Sequence, residues 1–203
     1  PWFYDDDERG RTDWGPRPNF ADSEVRSILV ENVETWLSTF HLDGFRWDST
    51  SNIRNVSFGE GDDLPGGQQL LRDSNELIEA HGENMLNIAE DFHAGASATQ
   101  TIAEGGYGFD TQWEGGLHWN LRRAVVEGTI DFDSLIGSLT GDFNGDPFQR
   151  IFYTESHDTT GALNDHVRLP QEISSADPTG WLARKRSTLA AAVLMTTPSV
   201  PLM

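Results

Sequence analysis

Apolar residues recur at three- and four-residue spacing from Val25 through Ile28, Leu29, Val33, Trp36, Leu37 and Phe40, with Asp22 placed to cap the start. That period predicts an amphipathic helix with one buried stripe. Shorter apolar runs follow between Gly- and Asp-rich punctuation. Gly44 to Ser49 reads as a strand, Gly59 to Gly67 as a Gly-rich loop, Gln68 to Ala80 as a helix, and Met85 to Phe92 as a second strand. Gly108 to Gln112 and Arg150 to Thr154 are further strand-like runs, and Leu117 to Glu127 and Trp181 to Met195 read as helices. The first stretch, to Phe20, is rich in Asp, Gly, Pro and aromatics without helical period, which predicts a long loop of the kind that usually carries function. Strands alternating with helices predict βαβ units and an α/β fold on a parallel sheet. No internal repeat, low-complexity tract or linker is visible. No Gly-rich phosphate loop follows any strand, which weighs against a nucleotide-binding doubly wound sheet.

Composition narrows the function classes. Lys and Arg total 14 against 33 Asp and Glu, a formal charge of −19, which disfavours nucleic acid and suits a neutral substrate. Seven Trp and eleven Phe set the chain apart from disordered acidic sequences, and aromatic faces beside carboxylates suit sugars. Cysteine is absent, so disulfides and thiolate metal sites are excluded. No apolar run of about 18 residues is present, so no membrane span is expected. The opening Pro1-Trp2-Phe3-Tyr4 and a strand-like close from Thr197 to Met203 read as an internal piece cut at both ends. A signal sequence upstream stays open.

Three acid-bearing segments end predicted strands. In Gly44-Phe45-Arg46-Trp47-Asp48, alternation puts Arg46 and Asp48 on one side, and a guanidinium there favours an ionised carboxylate, as a nucleophile requires. The same pair suits a purely structural ion pair. In Asn87-Ile88-Ala89-Glu90-Asp91-Phe92, Glu90 flanked by Ile88 and Phe92 suits a desolvated general acid, with Asp91 pointing away. A solvated acid pair fits that segment equally well. In Tyr153-Thr154-Glu155-Ser156-His157-Asp158, His157 would donate to a sugar hydroxyl and Asp158 would accept from others, or the two form a satisfied loop histidine and a helix cap.

Taken together, the order and spacing of Gly44-Phe45-Arg46-Trp47-Asp48, Ile88-Ala89-Glu90 and His157-Asp158 resemble the sequence regions of the α-amylase superfamily, glycoside hydrolase family 13. The resemblance implies residues 1–203 of a partial (β/α)8 TIM barrel, from about the fourth strand to the eighth, short of the roughly 250 residues of a whole one. It implies Asp48 as nucleophile, Glu90 as acid/base and Asp158 as third acid, with Arg46 holding Asp48 and His157 touching the sugar. The family's Asp-x-x-x-Asn-His region would precede residue 1. Trp14-Gly15-Pro16-Arg17-Pro18-Asn19-Phe20, Gly105 to Trp113, Arg168-Leu169-Pro170 and Arg184-Lys185-Arg186-Ser187 look like bacterial 1,4-α-glucan branching enzymes, while trehalose-releasing hydrolases and amylases share the scaffold.

An α-glucan would then be the substrate, with Trp14, Trp113 and Trp119 as candidate stacking faces or core residues. Retaining chemistry needs no organic cofactor. No Asp/Asn series has calcium-loop spacing, so no metal is expected. If the substrate is glycogen, a cytoplasmic enzyme is implied. An inactive relative that only binds carbohydrate is the contrasting class, and neither oligomeric state nor acceptor preference is legible. Lacking three strands, the isolated 203-residue chain is expected to fold poorly and to show no turnover, which an α-glucan assay on the purified chain checks.

Overall fold

A computed structural model describes residues 1–57, 62–82, 84–161 and 166–202. The 58–61 part of the predicted Gly-rich loop and the terminal Met203 lie outside the described residues. The chain divides into two compact units, Pro1–Gln112 and Trp113–Met203.

The first unit begins with structure where a long loop was predicted: a helical turn α1 (Asp7–Gly10) and a hairpin of β1 (Arg11–Thr12) and β2 (Gly15–Pro16). Two-residue strands leave no periodic signal. Tyr4 and Phe20 anchor the stretch in a cluster with Leu64 and Leu70, and buried Arg17 donates to Val56 O at 3.0 Å. Helix α2 (Ser23–Ser38) starts at Asp22 as predicted, the carboxylate accepting from Glu24 N at 3.0 Å. Its buried stripe is narrower than the pattern predicted. Val25, Val33 and Leu37 are buried, whereas Ile28, Trp36 and Phe40 are exposed. The face that meets α4 (Pro65–His81) packs Val33 and Leu37 on Ile78, and Trp36 lies instead against Phe40, ring centroids 4.7 Å apart.

Strands β3 (Gly44–Trp47) and β4 (Leu86–Ala89) are parallel, pairing Gly44 with Leu86, Arg46 with Ile88 and Trp47 with Ala89. Gly44 is forced by this pairing. A Cβ there would lie 1.8 Å from Leu86 O, and the backbone sits at φ 148°. β5 (Thr111–Trp113) continues the parallel arrangement, Ile88 opposite Thr111 and Ala89 opposite Gln112.

Between β3 and α4 lies a short helix that the sequence did not predict, α3 (Thr50–Arg54). Its five residues are polar or β-branched, so propensity argues against it; a tertiary contact holds it instead. Asp91, 1% exposed, accepts from Arg54 Nε at 2.8 Å, Arg54 Nη2 at 3.2 Å, Thr50 Oγ1 at 3.2 Å, and His93 N and Ala94 N at 2.9 Å each.

In the second unit Glu114 caps α5 (Gly115–Glu127), accepting from Gly116 N at 2.8 Å, which starts the helix before the predicted Leu117. An unpredicted helix α6 (Phe132–Thr140), broken in pattern by Gly137, follows Asp131 as its cap. β6 (Arg150–Tyr153) and β7 (Val200–Leu202) are parallel, joined through α7 (Leu169–Ile173) and α8 (Trp181–Thr196). Leu117, Leu121, Phe152, Leu169, Ala190 and Leu194 form this unit's core. Parallel strands returning through helices give the α/β, partial (β/α)8 arrangement predicted from the sequence. Among the described residues no helix is long and apolar enough to cross a membrane.

Removing Asp91 leaves Arg54, itself 8% exposed, as an uncompensated buried charge. Asp91→Ala is expected to destabilise the protein by about 3–5 kcal/mol, read from the shift in chemical denaturation midpoint.

Candidate active site

In the first unit the parallel register brings two of the predicted acids together. Glu90 follows β4 and Asp48 follows β3, with Glu90 N donating to Trp47 O at 3.0 Å. Arg46 serves both: its Nη1 bonds Asp48 Oδ1, and its Nη2 lies 2.9 Å from Glu90 Oε2. One guanidinium therefore contacts two carboxylates at the ends of neighbouring strands, hydrogen-bonded to Asp48 and ion-paired with Glu90. Glu90 Oε2 also accepts from Ser49 N at 2.7 Å. That bond depends on Ser49 adopting the left-handed region, φ 45° and ψ 53°, a conformation costing a non-glycine residue on the order of 1 kcal/mol. The Glu90 side chain is 11% exposed and that of Asp48 78%. The Ser49 N–H and the Arg46 cation face Glu90 Oε2, and Phe92, expected to help desolvate it, is exposed. Asp91 points the other way, as alternation predicted, into the Arg54 contact.

The second unit carries the third acid. His157 and Asp158 lie in the loop after β6, both half-exposed or more, with Nε2 3.4 Å from Asp158 Oδ2. Ser156 shapes the turn: its Oγ accepts from Asp158 N and Thr159 N at 3.3 Å each, and its N donates to Thr159 Oγ1 at 2.8 Å. Trp113 requires a correction. It is 5% exposed, its ring 5.1 Å from Tyr153 and edge-on to His157 at 6.1 Å, so it supports the histidine and presents no face for a sugar to stack on. Trp14, by contrast, is 72% exposed between the two hairpin strands of the first unit, and Trp119 is exposed on α5.

Comparison with known proteins bears on the family. No family model matches the chain. A 1,4-alpha-glucan branching enzyme of Fusobacterium nucleatum is 36% identical over 156 residues, 76% of this chain and 25% of that enzyme. The branching enzyme of Myxococcus xanthus is 31% identical over 122 residues, 54% of this chain and 17% of that enzyme. The resemblance to bacterial branching enzymes is thereby shown. The chain spans about a quarter or less of the length of these curated relatives. Among solved structures, the pullulanase of Anoxybacillus sp. LM18-11, crystallised with maltotetraose, superposes with a TM-score of 0.64 over 92% of this chain and 28% of its own, at 16% identity, a likeness of fold.

Sequence reasoning missed the residues beneath the His157 loop. His118, fully buried on α5, stacks on Tyr153 with centroids 4.8 Å apart. Burial, with Arg122 adding to it, lowers its pKa from 6.5 to about 4. The folded state thus holds this imidazole neutral, while an unfolded chain protonates it near its ordinary value. Stability is expected to be complete above pH 6.5 and to fall as pH drops towards about 4, by up to about 3 kcal/mol, levelling off below. A stability–pH profile of His118→Gln should lose that slope.

Proposed function

We propose that this chain carries catalytic residues of a retaining α-glucan-active enzyme that cleaves α-1,4 bonds and transfers the released chain to a 6-hydroxyl, a 1,4-α-glucan branching reaction. The observation that supports it most is the single Arg46 guanidinium shared by Asp48 and Glu90 at adjacent strand ends. The similarity to proteins named branching enzymes points the same way.

Asp48 attacks the anomeric carbon, the glycosidic bond breaks, and Glu90 gives its proton to the leaving oxygen. The Ser49 N–H and the Arg46 cation at Glu90 Oε2 suit the second half-reaction, in which ionised Glu90 takes the proton of the incoming hydroxyl as that oxygen displaces Asp48 from the anomeric carbon. Arg46 keeps the Asp48 carboxyl aligned in both steps. Asp158 accepts from substrate hydroxyls, and His157, propped by Trp113, donates to one. Trp14 offers an exposed face to a glucosyl ring.

Asp48→Asn in the full-length protein is expected to abolish turnover while sparing glucan binding; undiminished turnover overturns the assignment. With amylose as substrate, linkage analysis should find new α-1,6 branch points without rising reducing ends. Reducing sugar alone would make the enzyme a hydrolase, and binding without any product would make it a binding protein.

A further inference from the structure

Glu155 has no part in the reaction just described, although it stands between β6 and His157. Its carboxylate is 17% exposed and takes three donors: Arg168 Nε at 3.0 Å and Leu169 N at 2.6 Å on Oε1, and Arg168 Nη2 at 3.1 Å on Oε2. The first and third make a bidentate fork, and the second caps α7, whose flanking Arg168 supplies no side-chain cap. Leu169 is 3% exposed in the core with Leu117, Phe152 and Leu194. Glu155 thereby ties the first residue of a loop to a point anchored in the core at its far end. His157 and Asp158 lie inside that loop, together with the Ser156 turn and the Gly161–His166 bridge.

Stability alone is a weak reason for the fork. Arg168 is 75% exposed, and an ion pair of that kind adds little to stability. What a fork adds is direction: holding Glu155 removes backbone freedom from the adjoining Ser156, His157 and Asp158. We propose that Glu155 and Arg168 form a clasp that positions Asp158 and His157 for the transition state. Both are positioning residues. The inference rests on the roles given to Asp158 and His157 under the proposed function.

The test uses the full-length protein on amylose with Glu155→Gln, Arg168→Met, the double variant and Asp158→Asn. Arg168→Met removes an exposed group, so its folding is not at risk even if Glu155→Gln fails to fold. Each single clasp variant is expected to lose about 10- to 100-fold in kcat, with KM within about twofold and an unchanged thermal midpoint. The double variant should be no slower than the worse single one, since both remove one interaction. Full kcat in folded Arg168→Met, or a loss that tracks the thermal midpoint, overturns the clasp. If Asp158→Asn keeps its turnover, the functional reading itself fails. If Asp158→Asn is inactive while Arg168→Met is normal, only the clasp fails.

Discussion

The candidate site hangs on one planar cation. Arg46 sits within β3, its Nη1 on Asp48 and its Nη2 on Glu90, so the parallel register of two strands becomes a fixed relation between two carboxylates. Through the guanidinium both acids are held at the strand ends, Asp48 by a hydrogen bond and Glu90 by an ion pair. The surrounding backbone accepts costs to keep this geometry. Ser49 takes up a left-handed conformation that aims its N–H at Glu90, and Asp91 spends its buried carboxylate on Arg54 and Thr50 to hold the short helix that begins one residue later.

Much of this was legible in the amino-acid order because it rests on short-range rules. The Asp22 cap, the α2 period and the apolar runs that became β3, β4 and β6 obey local preferences that any window of the chain displays. Alternation along Glu90-Asp91 separated the two acids onto opposite sides, and spacing placed Arg46 beside Asp48. That Arg46 would also reach Glu90 was not legible. The contact joins residues 44 positions apart, and its existence depends on strand register.

The elements that sequence reasoning missed share a cause. The α3 helix, the N-terminal hairpin and α6 are short, and long-range partners or caps decide them where local period is silent. Burial was misjudged in both directions. Trp36 and Phe40 look like core residues by period and are exposed, whereas Trp113 looks like a sugar platform and is enclosed by Tyr153 and His157. An aromatic residue reads the same in sequence whether its face is covered or open, so only packing separates these roles.

Gly44 shows how a motif can mix unrelated requirements. It opens the same five-residue run that ends at Asp48, yet what it supplies is room for the carbonyl of Leu86. A genetic screen for inactive variants would return both positions with the same phenotype. Soluble yield would tell them apart: alanine at 44 would empty the soluble fraction, and asparagine at 48 would leave it full.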